Sequence, residues 1–368
     1  MNRRNAAFSL VELMIAMAIV MVVLYAAINF FIVSVRQYKV QTKITETNVE
    51  GILGLELFRQ DLESLGYGLP WNSLVAYTER PAIANLAVLE DTPNAPRAVL
   101  SIDDQAFTFN GSDYLVIKSA RVGMSDAAGK WATLTQANYK RPWTPATENL
   151  TGADYVIVLA LGSTDANRRS LVSSGTFYTL FTDAGTAGFV PTEPYSANIV
   201  YGIDIVQPVR PFNRAEYYID NTPGTVPQRC APNTGVLVKA VVPHDGTQPV
   251  PLPLLDCVAD IQVLYGRDAD LNPATVLSWS GDAPLGMTAA DIRAQIAEVH
   301  VHILAQEGER DDSYAYPYDN VTVGSEGAGR SFVFNSFGFT ASGNVTNNFK
   351  HYRWKVYNIV VKPKNLAR

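Results

Sequence analysis

The chain has 368 residues, of which 47% are hydrophobic and 17% charged. This composition allows a large folded core and excludes a chain that is disordered throughout. Lys and Arg number 29 against 35 Asp and Glu, a formal net charge of −6 that argues against a dedicated nucleic-acid-binding protein. With 2 Cys and 4 His, the sequence excludes a disulfide-dense scaffold and a Cys-rich metal centre, and we expect no cofactor.

The N-terminal segment is unusual for a globular protein. Residues 13–35 include no charged side chain, and as a helix they reach about 34 Å, enough to cross a hydrocarbon core of about 30 Å. A short polar leader with two arginines, residues 1–7, precedes this run. A secretory signal peptide begins in the same way, but its cleavage site needs small residues where this chain has Leu24 and Tyr25. We therefore expect the apolar segment to be retained.

One acidic residue, Glu12, lies inside the apolar stretch. A carboxylate at the centre of a membrane helix costs about 3 kcal/mol, and less near the interface. Such a residue usually has a function and a partner. Alternatively, Glu12 lies at headgroup level, where its cost is small. The residue and its neighbours leave both interpretations open.

The leader with its two arginines, small Ala7 and then residues 8–16, FSLVELMIA, resembles the class III leader and N-terminal helix of type IV prepilins. The resemblance implies cleavage by a prepilin peptidase between Ala7 and Phe8, N-methylation of Phe8, and retention of the apolar helix. The family usually has Gly before the cleaved bond, where this chain has Ala7. The resemblance also implies that Glu12 meets the amino terminus of a neighbouring subunit in a filament, a strong attraction at low dielectric.

The helical pattern continues beyond the apolar segment. Apolar residues at steps of three and four predict one stripe packed on a domain, formed by Val49, Ile52, Leu55, Phe58, Leu62, Leu65 and Leu69, and widened by Leu53 and Leu57. The run GYGLP at 66–70 ends the helix, so we predict a single helix over about 8–65. Gly51 and Gly54 weaken this helix locally and allow a bend.

After Pro70 the pattern changes to short β-rich runs separated by Pro- and Gly-rich stretches, notably 243–253 and 268–287. A short helix is predicted over residues 288–295. The candidate strands are 98–102, 114–119, 155–161, 176–181, 199–206, 216–219, 235–242, 258–265, 297–304, 331–334 and 352–361.

The predicted fold class is α+β and pilin-like, with one long helix packed on a mainly antiparallel β domain. The predicted division of the chain has four parts. They are a leader (1–7), the membrane and assembly half of the helix (8–35), its amphipathic half (36–69), and a β-rich globular periplasmic or extracellular domain (70–368).

Four internal stretches resemble PilW-type minor pilins. They are FRQDL at 58–62 running into LGY at 65–67, GSDYLVI at 111–117, VADIQVLYG at 258–266, and YRWKV at 352–356 with the tail ending at Asn365 and Leu366. The J-type pseudopilin of type II secretion shares much of this layout. The resemblance implies a minor pilin that takes part in initiating type IV pilus assembly, in a tip-proximal minor-pilin complex.

The expected partners are other minor and major pilins, the prepilin peptidase, the pilus assembly platform and inner-membrane lipid, with no nucleic acid. We expect a single-pass inner-membrane protein before assembly, and a pilus or periplasmic filament subunit afterwards. The sequence nominates no catalytic residue, since neither a Gly-x-Ser-x-Gly nor a His-Glu-x-x-His motif occurs, and we expect no enzyme. The alternatives are a J-type pseudopilin and a membrane-anchored periplasmic binding protein or enzyme.

Both cysteines, Cys230 and Cys257, follow the apolar segment and lie in an oxidising compartment if the expected topology holds. A disulfide between them closes a loop of about 28 residues, worth about 3.5 kcal/mol in the chain-entropy model. The alternative is two unpaired buried thiols. We expect the disulfide.

Two further polar clusters could bind metal. Glu298, His300 and His302 alternate with apolar residues and so share one strand face, which we expect to be the solvated face of a half-buried strand. A second cluster could hold calcium but lacks EF-hand spacing, and we expect a solvated acidic turn. Its members are Glu307, Glu309, Asp311 and Asp312.

Overall fold

The computed structural model describes residues 9–72, 75–79, 87–103, 108–138, 140–162, 168–186, 188–272, 275–281, 283–325, 327–341 and 348–366. The predicted leader, 1–7, and the predicted cleavage and methylation positions Ala7 and Phe8 lie outside these residues.

A single long helix, α1 (Leu10–Glu63), contains 54 residues and is therefore about 80 Å long. It ends where the Ser64 N–H donates to the carbonyl oxygens of Gln60 and Asp61, both at 3.1 Å. Gly66 and Gly68 follow with φ of +75° and +68°, a left-handed conformation that glycine adopts without strain. The predicted helix is therefore confirmed, to within about two residues at each end.

Among the described residues, fifteen strands, one further α-helix and six short 3-10 helices follow α1. The helix is α2 (Ala289–Gln295), and the strands are β1 (Val99–Ile102), β2 (Tyr114–Ser119), β3 (Trp131–Thr135), β4 (Tyr155–Leu161), β5 (Arg168–Leu171), β6 (Thr179–Leu180), β7 (Ala197–Asp204), β8 (Asn213–Asp220), β9 (Gly235–Val242), β10 (Pro251–Arg267), β11 (Ser278–Ser280), β12 (Ile296–Glu307), β13 (Asn320–Val323), β14 (Arg330–Val333) and β15 (Arg353–Val361).

The larger sheet has the strand order β1-β2-β8-β9-β10-β12-β15, with β11 paired to β10, and its neighbours are antiparallel. The last third of α1 packs on one face of this sheet. Helix residues Leu55, Phe58 and Leu62 share a core there with sheet residues such as Ile261 and Val301. The predicted α+β class, a long helix on a mainly antiparallel β domain, is confirmed.

The opposite face of the larger sheet is also covered. The β13–β14 hairpin and the loops around it bring Phe332, Phe334 and Phe349 against Trp354 of β15. At the other end of the same face, the buried Lys118 ammonium pairs with Glu79 at 2.7 Å and with Asp91 at 2.6 Å. Strands of this sheet are therefore buried on both faces, which explains why β2 reads as an almost continuous apolar run.

A second, smaller sheet has the order β3-β7-β4-β5, with β6 paired to β4. Its own core contains Leu134, Val158, Phe189 and Val200. The segment after α1 joins this sheet, since the Trp71 N–H donates to the Arg169 carbonyl oxygen at 3.0 Å. The end of α1 therefore lies where the two sheets meet.

Strands β2, β4 and β9 match the predicted ranges, and α2 begins after Thr288 as predicted. Strands β3, β5, β11 and β13 were not predicted, and the predicted strand 176–181 is reduced to β6. The predicted 243–253 loop is partly wrong, because β10 begins at Pro251. Prolines fit there because that end of β10 pairs with β9 alone, while pairing with β12 starts at Val258.

The predicted apolar stripe is only partly buried. Leu55, Phe58, Leu62, Leu65 and Leu69 lie in the core. The remaining members instead lie exposed on the helix: Val49 is 63%, Ile52 62%, Leu53 68% and Leu57 43% exposed. The prediction of one packed stripe was wrong for these four, because the sheet contacts only one side of α1.

Candidate functional site

The N-terminal part of α1, up to residue 33, is not covered by the described part of the domain. The side chains of residues 9–33 are all exposed, although nearly all of them are apolar. Within the described part of the chain, α1 is the one helix long and apolar enough to cross a membrane. An uncovered apolar surface of this length needs lipid or other apolar helices around it.

Glu12 has a partner within its own chain. The Ser9 N–H donates to Glu12 Oε2 at 3.0 Å, and the Glu12 N–H donates to Ser9 Oγ at 3.2 Å. This reciprocal pair is a capping box, which satisfies two of the free N–H groups at the start of α1. The carboxylate also lies at the positive end of the helix dipole. This capping role of Glu12 was not predicted from the sequence, although Ser-x-x-Glu before an apolar run is its signature.

A second set of exposed apolar side chains lies nearer the end of α1, beyond the largely polar stretch 36–48 and on the side away from the sheet. Val49, Ile52, Leu53 and Leu57 form this exposed stripe, while Leu55 packs on the sheet from the opposite side of the same turns. The helix therefore has a second uncovered apolar surface, of the kind that mediates contacts between proteins.

Aromatic and charged contacts attach the last turns of α1 to the larger sheet. The Phe58 and Tyr217 rings stack with centroids 4.4 Å apart. Asp61 Oδ2 accepts hydrogen bonds from the Tyr217 hydroxyl at 2.5 Å and from the Lys239 ammonium at 2.6 Å. Burial and the Asp61 carboxylate raise the pKa of Tyr217 well above its usual value, so its hydroxyl stays a donor. These contacts join the last turns of α1 to strands β8 and β9.

With the geometry of this helix established, the chain can be compared with known proteins. A family described as the prokaryotic N-terminal methylation motif matches residues 2–28. This match supports a type IV pilin-like protein, of the pilin or pseudopilin kind that serves in a pilus or a secretion system. Neither a curated protein nor a solved structure matches the chain. The motif and the apolar helix are consistent with membrane anchoring and assembly into a filament.

Cys230 and Cys257 form a disulfide, with their Cα atoms 4.9 Å apart. It links the loop before β9 to the point on β10 where pairing with β12 begins. Next to it, Arg229 Nη2 lies 2.6 Å from Asp256 Oδ2 and 3.5 Å from Glu50 Oε2 of α1. The disulfide therefore stiffens the part of the domain that faces the helix.

The expectation of a solvated histidine face was wrong. His300 and His302 are 8% and 3% exposed, because the loop before β14 and strand β11 cover this face of β12. Ser325 Oγ bonds His300 Nδ1 at 3.3 Å and His302 Nε2 at 3.1 Å, and the Trp279 ring lies 4.2 Å from that of His300. Burial, together with His300, lowers the pKa of His302, although the Asn358 contact opposes the shift.

The acidic turn that could have held calcium is paired with basic side chains. Glu307 accepts from Lys355 at 2.7 Å, and Asp311 lies 2.8 Å from Arg353. Asp312 lies 2.9 Å from Arg310. Among the residues that the structure describes, no group of three or more His, Cys, Asp and Glu is arranged to hold a metal ion.

Proposed function

We propose that this chain is a PilW-like minor pilin that takes part in initiating type IV pilus assembly, in a tip-proximal minor-pilin complex. One observation carries the proposal: α1 exposes apolar side chains over 10–35 and again between Val49 and Leu57, and it bears a large β domain on its other end. A filament of packed helices buries such a surface, whereas a simple membrane anchor needs only the first part.

In this proposal the leader is removed by a prepilin peptidase between Ala7 and Phe8, and the new amino group of Phe8 is methylated. Glu12 then has two tasks. It caps its own helix through Ser9, as the hydrogen bonds show, and it supplies a negative charge for the ammonium group of a neighbouring subunit. An unpaired charge in an apolar helix bundle is costly, so the pair favours one register of packing.

The proposed partners are the other minor and major pilins, the prepilin peptidase, the assembly platform and inner-membrane lipid. Before assembly the chain is a single-pass inner-membrane protein, and afterwards it lies in the filament. Its role is structural, and we propose no enzymatic activity.

A J-type pseudopilin of a type II secretion system is the second candidate. The same helix and the same antiparallel sheet would serve there, since the J-type pseudopilin resembles this chain in much of its layout. Affinity purification of the chain from cross-linked membranes discriminates between the two candidates. Co-purification with pilus assembly components supports the first, and co-purification with secretion components supports the second.

The capping box allows a sharp test of the Glu12 charge. Glu12→Gln keeps a side chain that can cap the helix but removes the charge. Ser9→Ala removes one capping hydrogen bond but keeps the charge. We expect both variants to insert and to be cleaved, and only Glu12→Gln to be depleted from sheared filaments.

Normal incorporation of Glu12→Gln would contradict the electrostatic role. The processing step is checked separately by mass spectrometry of the N-terminus of the membrane-extracted protein. A chain that begins with methylated Phe8 supports the proposal. A chain that keeps residues 1–7 supports instead a membrane-anchored periplasmic binding protein or enzyme.

A further inference from the structure

A cleft of about 520 Å³ lies between the turn that ends α1 and the edge strand β3 of the smaller sheet. This size is within the usual range of small-molecule sites. Aromatic and charged side chains line it together: Tyr67, Arg121, Lys130, Trp131, Trp143 and Glu148. None of these residues takes part in the assembly surfaces described above.

The aromatic walls of the cleft are fixed in place. Trp143 Nε1 donates to the Trp131 carbonyl oxygen at 2.6 Å, and the Trp143 N–H donates to Asn149 Oδ1 at 2.6 Å. The two indole rings lie with centroids 4.6 Å apart at 55°. The Tyr67 hydroxyl donates to the Gly129 carbonyl oxygen at 3.3 Å. These walls exist before any ligand enters, which lowers the entropic cost of binding.

The cations in the cleft lack partners. Within the described residues, the Arg121 and Lys130 side chains form no ion pair and no hydrogen bond, in contrast to Lys118 and Arg214, whose charges are paired inside the domain. Arg121 is exposed and Lys130 is half-buried beside Trp131. Two unpaired cations above a preformed aromatic wall suit a ligand that carries an anionic group.

More positive charge lies just beyond the cleft. The Arg141 guanidinium lies 4.6 Å from the Trp143 ring centre. Arg169 and Arg293 lie 5.3 Å and 4.9 Å from the ring centre of Trp71, which follows the turn after α1. In a chain with a net charge of −6, this local excess of arginine attracts anions to one place.

We propose that this cleft binds a saccharide that carries a carboxylate group. The C–H face of a sugar ring packs on an indole or phenol face, Arg121 and Lys130 pair with the carboxylate, and Glu148 with the hydroxyls of Thr144 and Thr147 accepts and donates hydrogen bonds to ring hydroxyls.

A single-stranded nucleic acid fits the cleft less well. Such ligands need a basic groove that follows several phosphates, with flat platforms for successive bases. Here the two indole rings are inclined at 55° to each other, so they offer no parallel platforms for successive bases.

The position of the cleft is compatible with an external ligand. It lies beside Tyr67, just past the end of α1, so about 80 Å of helix separates it from the first apolar residues. Lipid around the apolar segment therefore leaves the cleft open to solvent. The proposal does not depend on whether the helix serves a pilus or a secretion system.

The test uses the full chain in nanodiscs and tryptophan fluorescence, because two indoles line the cleft. The probes are a galacturonic acid trimer, the neutral galactose trimer and a ten-residue oligothymidylate. We expect saturable binding of the acidic trimer and at least about ten-fold weaker binding of the neutral one, the effect of one lost charge-assisted contact. Arg121→Gln and Lys130→Gln should each weaken binding of the acidic trimer by a similar factor. Lys39→Gln, on the exposed side of α1, should leave this binding unchanged.

Three outcomes would overturn the proposal. They are no saturation by the acidic trimer up to about 10 mM, equal binding of the two trimers, and tighter binding of the oligothymidylate. Because Arg121 and Lys130 make no hydrogen bonds through their side chains in the described structure, their variants should keep the unfolding temperature of the parent chain. A matching unfolding temperature shows that a loss of binding is local.

Discussion

Gly54 of α1 packs directly on the backbone of Leu254 in β10, where a Cβ added to Gly54 would overlap the Leu254 carbonyl oxygen. The backbones of the helix and of strand β10 are in direct contact at this point. Gly54 therefore does not serve as a flexible point in the helix, as the sequence suggested, but as the place where a strand can touch it.

Gly54→Ala should lower the free energy of unfolding by about 2 kcal/mol, because overpacking against backbone outweighs the gain of about 1 kcal/mol in helix propensity. Gly51→Ala is the matched control. Its added Cβ would meet only the Leu255 Cδ1 atom at 2.8 Å, the movable end of a side chain. Urea unfolding of the two variants checks this, and equal stability for both would contradict the packing argument.

The exposed stripe on α1 predicts a separation of folding from assembly. Leu53→Ser should leave the stability of the domain within about 0.5 kcal/mol of the parent, since this side chain is 68% exposed. It should nevertheless reduce the share of the protein found in sheared filaments. Leu55→Ser, on the buried side, should instead destabilise the domain by about 2–5 kcal/mol. Normal filament incorporation of Leu53→Ser would contradict an assembly role for the stripe.

Removing the disulfide should lower stability without changing the fold. Replacing Cys230 and Cys257 together by Ser should cost about 3.5 kcal/mol in urea unfolding, because the unfolded chain regains the freedom of its closed loop. Thiol labelling of the unreduced, unfolded parent should find no free Cys. Two labelled thiols would show that the disulfide does not form in the cell.

His244 should make the domain less stable in mild acid. Burial and the nearby Arg210 hold the pKa of His244 well below its usual 6.5. Its Nδ1 accepts from the Val209 N–H at 3.3 Å, so a proton there would break that bond. Because the unfolded chain takes up this proton first, stability is complete above about pH 6.5 and falls below it, by up to about 1.4 kcal/mol per pH unit.

His244→Gln removes the titrating group and should flatten this slope. Urea unfolding of parent and variant at about pH 7.5 and pH 5.5 measures it, since one histidine at its usual pKa of about 6.5 changes charge in this interval. The parent should lose more stability between the two values than the variant does. Equal losses would show that other groups account for the acid sensitivity, with buried His302 the next candidate.

The sequence by itself determined the features that depend on local order along the chain. The apolar run and the spacing of Glu12 gave the membrane-length helix and its methylation motif, and GYGLP at 66–70 gave the point where the helix ends. These features could be predicted because helix periodicity, glycine conformation and membrane thickness act over neighbouring residues.

Only the tertiary structure decided which faces are covered. His300 and His302 look like a solvated face in the sequence, yet a distant hairpin and Trp279 bury them. Leu55 is buried and Leu53 is exposed because strands far away in the chain cover only one side of α1. Likewise, the cleft is lined by Tyr67 and Trp143, which are far apart in the sequence. Alternation along one strand cannot reveal a second layer, because burial is set by whatever the rest of the chain packs against it.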